Sequence, residues 1–141
     1  MCGLVGEDLD DGWPGAVRAE IGADVRRVAE RLRTLSEAQL AAAAPPWPSR
    51  AAGGRAVAQL LAEAAQAIED RASGGQPRRR EFPVGSDFAV GDQVAVTGHD
   101  LLAALGTIAP EETVWAGAAR RTAREVVEDA AAQLAALRRL L

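Results

Sequence analysis

The chain of 141 residues is long enough for one domain with a single core. Its formal net charge of −4 disfavours a surface that binds nucleic acids or anionic membranes. Aromatic residues make up 4% of the chain and alanine is abundant, a composition that favours helices over sheets. Cys2 is the only cysteine, so an internal disulfide is excluded.

Residues 1–12 are rich in glycine and aspartate and show no apolar periodicity, which predicts a flexible N-terminal tail. Residues 13–141 are predicted to form a single helical-bundle domain. The tail lacks the positive charges and the apolar run of a secretory signal, and no segment is as long and apolar as a membrane span. We therefore expect a cytoplasmic protein with no membrane partner.

A first helix is predicted after Pro14, because proline favours the start of a helix. Its apolar residues recur at spacings of three and four, which places them on one helical face. These residues are Val17, Ile21, Val25, Val28, Leu32 and Leu35. Ser36 and Gln39 then have the spacing of a capping box, so we expect a short further helical turn before Pro45.

The prolines and glycines of PPWPSRAAGG predict a loop over residues 45–54. A second helix is predicted from about Arg55 to Asp70, with its apolar residues on one face. The run of Arg78, Arg79 and Arg80 follows in a polar linker. We interpret this run as a solvated loop rather than a contact for phosphate or nucleic acid.

The third segment allows two interpretations. Its apolar residues alternate over residues 88–96 as in a strand, but over residues 90–105 they also recur at helical spacing. We favour a helix, because a lone strand would leave its backbone groups unpaired. Gly91 and Gly98 each lower helix propensity by about 1 kcal/mol relative to alanine, so tertiary packing has to compensate.

A loop that holds Gly106, Pro110 and Trp115 is predicted to lead to the last helix. Thr122 and Glu125 form the capping-box pattern at its start. The chain thus contains four amphipathic segments, each too weak to be stable alone in water, and they must bury their apolar faces together. The prediction is an all-α protein with an antiparallel four-helix bundle.

No complete catalytic or metal-binding set can be assembled from the residues. A zinc or iron site needs at least three converging histidine, cysteine or carboxylate ligands, and His99 is the only histidine. On a helical wheel, His99 lies with Asp92 and Val96, away from the apolar face. This position indicates a helix flank, and we predict no metal ion and no cofactor.

Three runs of the sequence resemble the DinB-like superfamily, specifically its mycothiol-dependent maleylpyruvate isomerase branch. They are LRTLSEAQLAAAAPPW, AVAQLLAEAAQAIED and DQVAVTGHDL, and the resemblance covers about residues 24–105. It implies a helical bundle in which a histidine on the second helix and a Glu-x-x-x-His pair on a later helix hold a divalent metal ion. The implied metal site lies at the mouth of a cleft for a thiol cofactor. The histidine position falls at Leu60 and the later pair at Gln93 and Thr97, and Asp100 with Leu101 matches the Asp-Leu that follows.

All three metal-ligand positions that the resemblance implies carry other residues in this chain. Leucine cannot ligate, and an uncharged amide and hydroxyl bind a divalent ion far less well than carboxylate and imidazole. Gln93, Thr97 and Asp100 nevertheless share one helix flank beside an apolar seam, as a cleft for a small ligand requires. Together with His99, they are the predicted ligand-binding residues. The alternative is that Gln93 and Thr97 bond to neighbouring backbone groups.

We therefore predict a non-catalytic module that binds a small molecule or a thiol in a cleft between helices, or binds another helix. A first alternative is a metal-independent thiol-dependent transferase or isomerase in which His99 acts as the acid–base group. A second is a helix bundle that forms homodimers through an exposed apolar stripe of Phe88, Val96 and Leu102. Nucleic acid is not an expected partner, because the basic cluster lies in a linker without interleaved aromatic residues.

Overall fold

A computed structural model describes residues 12–73 and 85–141 of the chain. The α-helices are α1 (Gly15–Thr34), α2 (Glu37–Ala41), α3 (Arg50–Glu69), α4 (Val90–Leu105) and α5 (Ala123–Leu140). The strands are β1 (Thr113–Ala116) and β2 (Ala119–Thr122), and short 3₁₀ turns cover Asp70–Ser73 and Asp87–Ala89. Residues 1–11 of the predicted tail and the arginine run of the predicted linker lie outside the described residues.

Four long helices, α1, α3, α4 and α5, surround one hydrophobic core. Both α1 and α3 pack against α4, and both also pack against α5. Fully buried side chains come from all four helices and include Val28, Leu61, Leu101 and Leu134. The predicted, mostly helical class is therefore confirmed. None of the helices within residues 12–73 and 85–141 combines the length and apolarity that crossing a membrane requires.

Both predicted capping boxes are confirmed. The hydroxyl of Ser36 accepts a hydrogen bond from the backbone N–H of Gln39 at 3.2 Å, and Oε1 of Gln39 accepts one from the backbone N–H of Ser36 at 2.8 Å. At the start of α5, Thr122 and Glu125 make the same reciprocal pair at 3.1 and 3.0 Å. These bonds satisfy backbone donors that a helix start leaves without intrahelical partners, which fixes where α2 and α5 begin.

The second helix begins earlier than predicted, so the prediction of a loop through residue 54 is wrong. Ser49 caps α3, because its hydroxyl accepts a hydrogen bond from the backbone N–H of Ala52 at 3.0 Å. Gly53 and Gly54 lie inside the helix and are buried. A Cβ atom on Gly54 would overlap the side chain of Val90 on α4. Close packing of Gly54 against Val90, and of Gly53 against Trp47 and Leu137, therefore outweighs the low helix propensity of this pair.

The third segment is a helix, as predicted. The compensation expected for Gly91 and Gly98 comes from α1, because both glycines are buried against it. A Cβ atom on Gly91 would lie 2.8 Å from the carbonyl oxygen of Ala29, and one on Gly98 would lie 2.5 Å from Cγ2 of Val25. Since a side chain at either position would push α1 away, the two glycines allow α1 and α4 to approach closely.

The predicted loop before the last helix contains an antiparallel β-hairpin, so the loop prediction is wrong for residues 113–121. Trp115 of β1 lies opposite Arg120 of β2. Gly117 opens the two-residue turn with a φ of +68°, which is the glycine position of a type II′ hairpin turn. Strands of four residues are too short for a clear alternation of apolar and polar residues, so periodicity alone does not predict them.

Hydrogen bonds fix the base of the hairpin to the neighbouring helices. The backbone N–H of Ala123 donates to the carbonyl oxygen of Glu112 at 2.8 Å. Arg71, which follows α3, donates from Nε to the carboxylate of Glu112 at 2.8 Å. Arg124 of α5 donates from Nε to Glu111 at 3.0 Å, and this hydrogen bond together with the charge of Glu111 raises the pKa of the Arg124 guanidinium. The hairpin is thus held between α3 and α5.

Candidate functional site: a cleft beside the hairpin

A cleft with a volume of about 330 Å³ lies between α3, the hairpin and α5. It is lined by Leu60, Glu63, Ala64, Gln66 and Ala67 of α3, by Trp115, Ala116, Gly117 and Arg121 of the hairpin region, and by Val126 and Asp129 of α5. The α3 residues recur at spacings that place them on one helix face. Aliphatic side chains from both helices make the cleft apolar, and its volume is at the lower end of the range of about 300–1,000 Å³ for ligand pockets.

Trp115 is the largest side chain in the lining, and its neighbours hold it in place. The guanidinium carbon of Arg120 lies 5.5 Å from the centre of the indole ring. Arg120 also donates a hydrogen bond to the hydroxyl of Thr113 at 2.6 Å. Val114 is 1% exposed and anchors β1, which packs against α3. The strand and the indole both contact neighbouring groups of the protein.

The charged groups of the cleft come from three different elements. Nη2 of Arg121 lies 2.7 Å from Oδ2 of Asp129, and this ion pair joins β2 to α5. On α3, Nε2 of Gln59 donates to Oε2 of Glu63 at 3.1 Å, which orients the Glu63 carboxylate. The lining therefore carries two carboxylates and one guanidinium, an excess of one negative charge.

None of the four residues predicted to bind a ligand lines this cleft. Thr97 is 3% exposed, and its hydroxyl donates to the backbone carbonyl oxygen of Gln93 at 2.8 Å. This bond to the same helix is the arrangement that the sequence allowed as the alternative to a ligand contact. The Oε1 atom of Gln93 is buried and has no hydrogen-bond partner within residues 12–73 and 85–141.

The structure brings three of the predicted residues to one flank of α4 and places the fourth elsewhere. At 3.6 residues per turn, Gln93, Thr97 and Asp100 follow one flank. His99 is exposed and lies on the same face of α4 as Asp92. The carboxylate of Asp92 accepts a hydrogen bond from Nε of Arg33 on α1 at 2.8 Å. A ligand-binding role for these four residues stays a prediction. Leu60, where the resemblance places a metal-binding histidine, does line the cleft.

The side chains of the cleft can bind a ligand through apolar contacts and through ionic contacts. Within the described part of the chain, no three histidine, cysteine or carboxylate side chains are grouped to hold a metal ion. The lining supplies an indole for stacking, aliphatic surface for burial, and the carboxylates of Glu63 and Asp129 for ionic contact. These groups suit the binding of a small molecule.

Trp115, Arg121 and Asp129 line the cleft but are not among the residues that the sequence predicts for a site. Trp115 and Arg121 lie in the predicted loop, and Asp129 lies in the predicted last helix. A usable signal was present in TVWAGAARRT, where β-branched and aromatic residues precede a glycine and a capping residue follows. Comparisons of the chain with protein-family models, with curated proteins and with solved structures found no match.

Proposed function

We propose that this protein is a non-catalytic module that binds a small molecule in the cleft between α3, the hairpin and α5. The observation that carries this proposal is the composition of the lining, which joins aliphatic side chains and an indole with a small number of charged groups. Ligand sites typically combine a largely apolar surface with a few polar groups that fix orientation. The indole of Trp115 contacts the guanidinium of Arg120, and Val114 anchors the strand that carries this indole.

Blocking the cleft tests this proposal. Leu60 is half-buried and lines the cleft, so the larger side chain of Leu60→Trp is expected to occupy the binding volume rather than the core. Small molecules that bind the wild-type chain, found by ligand-observed NMR with a set of a few hundred metabolites, should bind Leu60→Trp at least about tenfold more weakly, a loss of about 1.4 kcal/mol. Circular dichroism establishes that the variant is folded.

The matched control is His99→Ala, on the exposed surface of α4. Compounds bound in the cleft should keep their affinity for this variant. Binding that survives Leu60→Trp and is lost in His99→Ala would instead place the ligand where the sequence predicted it. A set from which no compound binds the wild-type chain would refute the proposal.

The ancestry of the fold is a further part of the proposal. We propose a four-helix bundle of the DinB-like type that has lost its metal ligands. Support comes from the packing of α1 and α3 against both α4 and α5. The alternative of a thiol-dependent enzyme with His99 as acid–base group stays a prediction, and loss of a thiol-transfer activity in His99→Ala would support it.

A second candidate function is self-association. Phe88 and Val96, two of the three residues of the predicted apolar stripe, are each 60% exposed. Leu102 is half-buried and packs against the core. Sedimentation of the wild-type chain and of Val96→Glu tests this candidate, which requires a dimer that the charged substitution weakens.

A further inference from the structure

The charged side chains that line the cleft are already bound to other groups of the protein. Nη2 of Arg121 lies 2.7 Å from Oδ2 of Asp129, so these two lining residues neutralise each other. The carboxylate of Glu63 accepts a hydrogen bond from Gln59 at 3.1 Å, and Glu63 makes a further interaction within the chain. A charged ligand would therefore have to compete with internal partners at all three lining residues.

The amide and the indole of the lining are engaged as well. Nε2 of Gln66 donates a hydrogen bond to Oδ2 of Asp70 at 3.2 Å. The guanidinium of Arg120 lies over the indole of Trp115, with its carbon atom 5.5 Å from the ring centre. Because that face of the indole already carries a cation, a cationic ligand would have to compete with Arg120 for it.

Displacing the ion pair of the lining would give a charged ligand little affinity, because the pair faces solvent. The side chains of Arg121 and Asp129 are 36% and 59% exposed. An ionic contact between exposed groups changes an equilibrium constant by less than about fivefold. A charged ligand also has to give up part of its own hydration when it enters the cleft. Ionic contacts therefore contribute little net affinity here.

The apolar part of the lining can contribute more. Ala64 and Ala67 of α3 and Val126 of α5 are 2%, 4% and 8% exposed, and Leu60 is half-buried. All four residues line the cleft. Each methylene group that a ligand buries against such a surface strengthens binding by up to about fourfold. Burial of two methylene groups is therefore enough to outweigh an exposed ionic contact.

We infer that the ligand of the cleft is an uncharged, predominantly apolar molecule that is bound through the aliphatic lining rather than through Glu63, Arg121 or Asp129. This inference rests on the proposed function and adds the charge and polarity of the ligand to it. The volume of about 330 Å³ suits a molecule of the size of a single aromatic ring with a short side chain.

Three compounds of nearly equal shape test the inference. Ethylbenzene is uncharged, benzylamine is a cation at neutral pH and benzoate is an anion. In NMR titrations of the full chain, ethylbenzene should have a dissociation constant at least about tenfold below those of both charged compounds. Because it buries one more methylene group, n-propylbenzene should bind about twofold to fourfold more tightly than ethylbenzene.

Two substitutions on α3 separate the apolar contribution from the ionic one. Leu60→Ala removes apolar surface from the cleft and should weaken the binding of ethylbenzene at least about fivefold. Glu63→Gln removes a carboxylate from the same lining and should change this affinity by less than about twofold, since an uncharged ligand makes no ionic contact. Circular dichroism establishes that both variants are folded.

The other outcomes separate this inference from the proposed function. If benzylamine or benzoate binds as tightly as ethylbenzene, the inference is wrong while the cleft remains a binding site. The same holds if Glu63→Gln weakens ethylbenzene as much as Leu60→Ala does. If the wild-type chain binds only charged compounds and Leu60→Trp abolishes their binding, the inference is wrong and the proposed function stands. If no small molecule binds at all, both are refuted.

Discussion

Replacing Gly98 by alanine tests how closely α1 and α4 are packed. Carbon atoms in contact normally lie about 3.5–4.0 Å apart. The new Cβ would lie 2.5 and 2.6 Å from the two methyl carbons of Val25. Rotation of the Val25 side chain gives little relief, because its own Cβ would lie only 3.1 Å away. The two helices would therefore have to separate by roughly 1 Å.

The change in the free energy of unfolding caused by Gly98→Ala is the sum of two opposing contributions. Overpacking of a well-packed core costs about 1–3 kcal/mol. Alanine in place of glycine inside a helix contributes about 1 kcal/mol in the opposite direction. Because Gly98 and Val25 are both buried and helix backbones must move, we place the packing cost at the upper end of its range. The expected loss in the free energy of unfolding is about 1–2 kcal/mol, which lowers Tm by about 3–6 °C in a chain of this size.

Urea denaturation followed by circular dichroism measures this loss. The matched control is Gly22→Ala on α1, where a Cβ would lie 3.6 Å from Nη1 of Arg26 and 3.7 Å from Leu102. These are ordinary contacts, so the same substitution should stabilise the protein there by about 0.5–1 kcal/mol. Combining Gly98→Ala with Val25→Ala should cost at least about 1 kcal/mol less than the sum of the single changes. A Gly98→Ala variant as stable as the wild type would refute the close approach of the two helices.

Two further substitutions test buried polar groups. Gln93→Met should raise the free energy of unfolding by about 1 kcal/mol, since it removes a buried oxygen without a described partner and retains helix propensity. The exposed Gln133→Met should change stability by less than about 0.5 kcal/mol, and destabilisation by Gln93→Met would mean that the amide has a partner. Trp13→Phe should cost about 2 kcal/mol in urea denaturation, because the indole of Trp13, 5% exposed, donates to the carbonyl oxygen of Ile108 at 2.8 Å. An unchanged urea midpoint would contradict this role.

The helical class and several helix boundaries could be predicted from the sequence. The reason is that capping boxes and apolar periodicity are local signals, which act between residues three or four apart. Ser36 with Gln39 and Thr122 with Glu125 each mark a helix start through two hydrogen bonds that involve no other part of the chain. The third segment could be assigned to a helix because a strand there would have lacked a partner.

The cleft could not be predicted in the same way. The cleft contains Leu60, Trp115 and Asp129, which are far apart in the sequence. The sequence around Leu60 is typical of an apolar helix face, that around Trp115 of a loop, and that around Asp129 of a solvated helix face. The contacts that bring them together run through the base of the hairpin, where Arg71 binds Glu112 across 41 positions.

What the sequence by itself determined is therefore the set of amphipathic helices and the residues at which α2 and α5 begin. What only the tertiary structure decided is where glycine pairs remain helical, where a hairpin forms, and which polar groups share a cleft. The physical reason is the separation along the sequence of the residues that interact. Helix capping and helical periodicity depend on neighbours within one turn. The burial of Gly54 and the placement of Trp115 depend instead on contacts with helices that are distant in the sequence, and these contacts exist only in the folded chain.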